Sequence, residues 1–148
     1  MIARACLALV GAIMVSVDAA AAEDSQWRSL FNGRDLSGWT IKIANHPLNE
    51  NYADTFRVED GVIKVSYDRY GKFEGRFGHL YTNQPYSRYV LRLEYKLTDE
   101  AIADAPSWAK LNNGVMIHSQ SPLSMELGQA FPVSMEMQFL AGGATAGG

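Results

Sequence analysis

The chain has 148 residues, 47% of them hydrophobic and 20% charged, with a formal net charge of −3. That length suits one domain of ordinary size, and that balance belongs to a soluble globular protein. A mildly acidic chain with no basic stripe has nothing to neutralise phosphates, which excludes nucleic acid as a partner held by bulk electrostatics.

Residues 1–22 read as a signal peptide. Arg4 makes a short positive start, Ala5 to Val17 is an uncharged apolar run too short to span a bilayer, and Ala19-Ala20-Ala21-Ala22 offers a cleavage site before Glu23. The only cysteine, Cys6, lies in that segment. Cleavage leaves residues 23–148 with neither thiol nor disulfide, and with no transmembrane segment. The chain is expected to be exported, to a periplasm or to the extracellular space.

From Trp27 to Trp39, aromatic and aliphatic anchors alternate with the turn signals Asn32-Gly33 and Ser37-Gly38. Leu30, Phe31, Leu36 and Trp39 fit core positions, and burial explains Trp27 and Trp39 better than sugar stacking does. Asn45 to Asp54, with His46 and Pro47, is a loop. Phe56-Arg57-Val58 and Val62-Ile63-Lys64-Val65 flank Glu59-Asp60-Gly61, which predicts a hairpin with Gly61 at positive φ. Tyr67 to Gly78 interleaves charges with Tyr70, Phe73 and Phe77, and its glycines argue against a helix. It reads as a long loop at the rim of a groove.

His79 to Thr82 is a short strand. Tyr89 to Leu97 is the most regular strand signal in the chain: Tyr89, Leu91, Leu93, Tyr95 and Leu97 alternate with Val90, Arg92, Glu94 and Lys96, which predicts a half-buried antiparallel strand with one wet face. Asp99 to Lys110, interrupted by Pro106, is a loop or one helical turn. A short helical turn fits the connection around Pro122.

Two further strands carry the candidate site. In Asn113 to Ser119, Val115 and Ile117 share one face, and Met116 and His118 the other. In Ser134 to Phe139, Met135, Met137 and Phe139 face one way, Glu136 and Gln138 the other. With the apolar faces on a common core, His118, Glu136 and Gln138 are offered to a groove. Met116, Met125, Met135 and Met137 read as core filler. A carboxylate on an otherwise apolar strand needs a partner, water or a task, which singles out Glu136. Glu126 and His79 are secondary candidates.

After the signal segment no long stretch has a period of 3.6, and short strands separated by turn chemistry indicate an all-β sandwich or jelly roll. About six strands followed by a Gly-rich end are fewer than a two-sheet sandwich commonly needs, so the domain is expected to be incomplete at its C-terminus. Serine-hydrolase order, a phosphate loop and Cys/His metal spacing are all missing from the sequence.

Four segments, in order, carry a resemblance: Leu30 to Trp39, Phe56 to Ile63, Asn112 to Ser119 and Pro132 to Leu140. They resemble the 3-keto-disaccharide hydrolase family, long catalogued as a domain of unknown function. The first is similar to its LFNGKDLSGW opening, the third to its NSGVMIHS strand and the fourth to its PxSxEVQLLGG strand. The resemblance implies a concanavalin-A-like jelly-roll β-sandwich over residues 23–148 of an exported bacterial protein. It also implies hydrolysis of glycosides whose glucosyl C3 is a ketone. Family domains run on past the Glu136 strand, and Asn113 stands where the motif often has serine.

A C3 ketone makes the C2 proton acidic, so the C1 substituent can leave by elimination, and water then adds to the enone. That chemistry needs a base, an acid and a group to hold the enediolate. Under the resemblance, Glu136 is the candidate base or metal ligand, and His118 the candidate base, acid or ligand. Gln138, Asn113, Trp108 and Tyr70 are candidate substrate-binding residues. A divalent metal ion held in part by His118 and Glu136 is the candidate cofactor. The alternative is a carbohydrate-binding module without turnover, with Tyr67, Tyr70 or Trp108 as sugar platforms.

Overall fold

A computed structural model describes residues 27–100 and 102–141. The expected signal segment 1–22 with Cys6, and the Gly-rich run beyond Ala141, lie outside the described residues. Those described are all-β with short 3-10 turns. They form three two-stranded antiparallel sheets: β1 (Trp39–Ile43) with β4 (Gly78–Thr82), β2 (Phe56–Glu59) with β3 (Val62–Val65), and β5 (Asn112–Ile117) with β6 (Met135–Leu140). The sheets are not closed into a sandwich. No helix among the described residues is long and apolar enough to cross a membrane.

The β2–β3 hairpin follows from its turn. Glu59 pairs with Val62, leaving Asp60 and Gly61 as a two-residue loop with φ of 51° and 77°. Positive φ at both positions matches the right-handed twist of the strands, and glycine adopts it without a steric penalty. The Asn32-Gly33 turn forms as well: Asn32 Oδ1 accepts from the backbone N–H of Arg34 at 2.8 Å and of Asp35 at 3.0 Å.

The core sits where β1 and the first hairpin meet. Ile41, Ile43 and Phe56 are buried, with Leu36, Tyr52, Val65 and Leu80 packed around them. β1 alternates, so Lys42 points away from this cluster. It is nonetheless buried, its ammonium donating to the Ile43 carbonyl at 3.0 Å and the Leu127 carbonyl at 2.9 Å. Burial lowers its pKa, and the two carbonyls tie the 125–131 connection onto the β1–β4 sheet.

Gly78 opposes Ile43, and a Cβ there would lie 3.1 Å from Phe56 Cζ and 3.3 Å from Ile43 Cγ1. Overpacking a filled site typically costs about 1–3 kcal/mol, so Gly78→Ala is expected to lose that much unfolding free energy, read as a lower urea midpoint at an unchanged m value.

Acid should destabilise the fold in two stages. Burial holds the His79 imidazole below its usual 6.5, so the folded state resists a proton that the unfolded chain accepts, and stability falls as pH drops below that value. Side-chain bonds from Ser37 and Asn32 hold the Asp35 carboxyl at about 2. The Arg57 guanidinium, forked onto Asp68, does the same there. Both carboxylates contribute stability above their ordinary 3.8 and lose it towards about 2. A thermal midpoint flat from pH 8 to 4 would contradict the first stage, and one flat from 4 to 2 the second.

Four sequence expectations need correction. Tyr89–Leu97 is not a paired strand; it joins no sheet, and Val90 is 79% and Tyr95 58% exposed. The alternation is present, but no second layer packs on its apolar row. Met135 and Met137 face out for the same reason, each 57% exposed, rather than filling a core. β5 ends at Ile117, and His118 has φ of 50°, a left-handed conformation that breaks the strand alternation. Trp27, expected to be buried, is 49% exposed.

Candidate functional site

The β5–β6 register sorts the ribbon into two faces. Gly114 opposes Gln138 and Met116 opposes Glu136, so Asn112, Gly114, Met116, Glu136 and Gln138 share one face. Asn113, Val115, Ile117, Met135, Met137 and Phe139 share the other. Residues of both faces, Glu136 and Gln138 on the first and Asn113 and Val115 on the second, line an open cavity of about 2120 Å³ whose walls also include His118, Arg92 and Glu94.

Glu136 does not stand upright on its strand. Its side chain leans across onto Gly114, where a Cβ would come 2.9 Å from Glu136 Cγ and 3.0 Å from Cδ. A glycine inside a strand often marks such a close approach. The bare backbone of residue 114 is therefore the floor on which the carboxylate rests. Among the described residues no ion pair holds that carboxylate. Next to it, Gln138 Nε2 donates to Asn112 Oδ1 at 3.2 Å, which sets the amide orientation on the same face.

The other residues named from sequence fall in different places. His118 lies just past the end of β5, exposed, with its ring 6.4 Å from that of Tyr89. Asn113 alternates onto the face opposite Glu136, and its Oδ1 accepts from the Gly114 N–H at 2.8 Å. Trp108 lies flat against Phe77, with centroids 5.5 Å apart and planes 9° apart, near Phe131. The Tyr70 hydroxyl is 2.6 Å from Thr55 Oγ1, and its ring packs edge-on to Tyr52. Burial pushes the Tyr67 hydroxyl up to about 12. His79 Nε2 donates to the Ala130 carbonyl at 2.7 Å, a structural bond that uses its proton. Glu126 is exposed.

The structure thus brings Glu136 and Gln138 together, and leaves Asn113, Trp108 and Tyr70 off their face. Gly114 and Asn112 share that face without being sequence candidates, although a glycine interrupting a strand pattern is an available signal for the first. As metal ligands, His118 and Glu136 are two donors only; no group of three or more His, Cys, Asp or Glu side chains that could hold an ion occurs among the described residues.

A carboxylate without an ion partner, beside a fixed amide and open to a cavity, can take a proton from a bound ligand. Comparison with curated proteins and with solved structures gives no match. Comparison with family models does: residues 26–148 match the 3-keto-alpha-glucoside-1,2-lyase-like domain, and the chain belongs to that family.

Proposed function

We propose that the chain cleaves glycosides whose glucosyl C3 is a ketone, by elimination across C1–C2 followed by addition of water. The observation that carries this reading is the Glu136 carboxylate, unpaired among the described residues, laid over Gly114 and lining the open cavity. Family membership supports the substrate class. In the first step Glu136 removes the C2 proton, and the electron pair of the C2–H bond moves into the C3 carbonyl to give an enediolate. As that pair returns, C1=C2 forms, the C1–O bond breaks, and the leaving oxygen takes a proton. Water then adds at C1, completing a net hydrolysis.

His118, at the exposed end of β5, is the proposed proton donor to the leaving oxygen, and Gln138 and Asn112 hold sugar hydroxyls. A divalent cation, if bound, would be held in part by His118 and Glu136, the two donors offered among the described residues, and would stabilise the enediolate. The jelly roll belongs to the same proposal, with the β5–β6 ribbon on its concave face. The binding-module alternative loses ground because Tyr67, Tyr70 and Trp108 are each packed against other side chains rather than displayed as free platforms.

Incubation with a 3-keto-α-glucoside in D2O tests the proposal. The expected result is release of the aglycone with deuterium entering C2, and no release from the unoxidised glucoside. Equal cleavage of both sugars, or release from neither, would overturn it.

A further inference from the structure

A single backbone carbonyl outside the β5–β6 ribbon sets which end of the Gln138 amide faces a ligand. The 3-10 turn Ser107–Ala109 closes with the Lys110 N–H donating to the Ser107 carbonyl at 3.3 Å. Leu111 then has φ of 54°, and the chain turns into β5. To the next carbonyl, that of Trp108, Asn112 Nδ2 donates at 2.9 Å. A carbonyl only accepts, so the NH2 end of Asn112 faces Trp108. Asn112 Oδ1 is thereby turned to Gln138, where it takes the NH2 end of the second amide at 3.2 Å. Gln138 Oε1 is the end left facing away from Asn112, on an exposed residue.

The Glu136 side chain leans in step with that of Gln138. Gly114 lies directly opposite Gln138, and Met116 opposite Glu136. Glu136 resting over Gly114 and Gln138 reaching Asn112 therefore follow the same diagonal, one pleat apart. Two residues of strand keep the two side chains roughly 7 Å apart.

We propose that Asn112 is a positioning residue: it holds Gln138 with its carbonyl oxygen outward, so that the ribbon selects a sugar carrying a free hydroxyl across the ring from the carbon that Glu136 addresses. The selection rests on the proposed 3-keto-glycoside cleavage; the amide orientation does not. With Glu136 at C2, a spacing of roughly 7 Å carries Gln138 over the pyranose ring towards the hydroxyls on C4 and C6. A hydroxyl there donates to Gln138 Oε1. A fluorine in its place has no proton to give and meets the oxygen lone pair to lone pair. Asn112 keeps one N–H and one lone pair for a hydroxyl contact of its own. Trp108 serves the site through its carbonyl, while its ring, stacked on Phe77, anchors the turn that presents it.

Thermal midpoints test the orientation without any substrate. Gln138→Glu sets a carboxylate against Asn112 Oδ1 and should lower the midpoint by roughly 2–4 °C, the loss of one hydrogen bond in a chain of this size. In the Asn112→Ala background that oxygen is gone, and the same substitution should lower the midpoint less. Repulsion from Glu136 is present in both backgrounds and cancels. A reversed Asn112 would offer its NH2 end to the new carboxylate, so an equal or larger drop in the Asn112→Ala background overturns the proposal.

The selection is tested with methyl 3-keto-α-glucoside and its 4-deoxy-4-fluoro and 6-deoxy-6-fluoro counterparts. On one of the two analogues wild type should lose about 3- to 10-fold in kcat/KM, the worth of one hydrogen bond, and Gln138→Ala should treat that analogue and the parent alike. Asn112→Ala should raise KM for the parent by a similar factor with kcat nearly unchanged, because the bond is made before the reaction as well as during it. Full activity of wild type on both analogues, or a loss that survives in Gln138→Ala, overturns the selection. Absence of wild-type cleavage of the parent counts against the substrate, and the thermal midpoints still decide the orientation.

Discussion

Glu136→Gln is expected to lower turnover of a 3-keto-glucoside by about 100- to 10,000-fold, the usual contribution of a positioned general base. The substitution keeps the shape of the side chain and its place over Gly114, but an amide cannot accept the C2 proton. Because the interaction lost is made as the proton moves, the fall should appear in kcat with KM nearly unchanged. Glu136 is exposed, so the thermal midpoint should stay within the range of a neutral surface substitution. Deuterium incorporation at C2 should fall in parallel with aglycone release. Release that persists undiminished takes Glu136 out of the chemistry, and loss of release with C2 exchange retained would place it on the leaving-group side instead.

How much of this was legible in the sequence depended on how local the cause was. The β2–β3 hairpin could be read because its geometry is dictated by Asp60 and Gly61 themselves. The face shared by Glu136 and Gln138 could be read because strand alternation needs no partner to operate. Pairing is different. β1 and β4 are separated by the whole of the first hairpin and the Tyr67–Phe77 loop, and nothing in Trp39–Ile43 names Gly78–Thr82 as its neighbour. Tyr89–Leu97 shows the opposite error: alternation says which residues would share a face if the segment pairs, not that it pairs. His118 was misplaced because the alternation was carried one residue too far, through a left-handed turn no residue type there announces. Gly114 is a readable signal of another kind, because a glycine inside a strand pattern marks a place where a side chain from the next strand can lie down.

Gly114→Ala separates that role from a merely structural one. A methyl group at 114 would come within 2.9 Å of Glu136 Cγ, so the side chain has to leave its place over the β5 backbone. The obstacle lies on the side chain of an exposed residue, which swings aside at little cost. Gly114 is not among the glycines held at positive φ, so alanine fits the backbone, and restricting the unfolded chain is worth about 0.4–1 kcal/mol to the folded state. Stability should therefore hold or rise slightly. Activity should not: displacing a catalytic group by about 1 Å can cost roughly 100-fold. The expected outcome is a protein as stable as wild type with kcat down by about two orders of magnitude, in contrast to Gly78→Ala, where the methyl group meets the buried Phe56 and Ile43 and stability falls instead. Full activity in Gly114→Ala would mean that Glu136 does not work from its position over residue 114. A fall in activity matched by a fall in stability would mean that the glycine serves the strand and not the carboxylate.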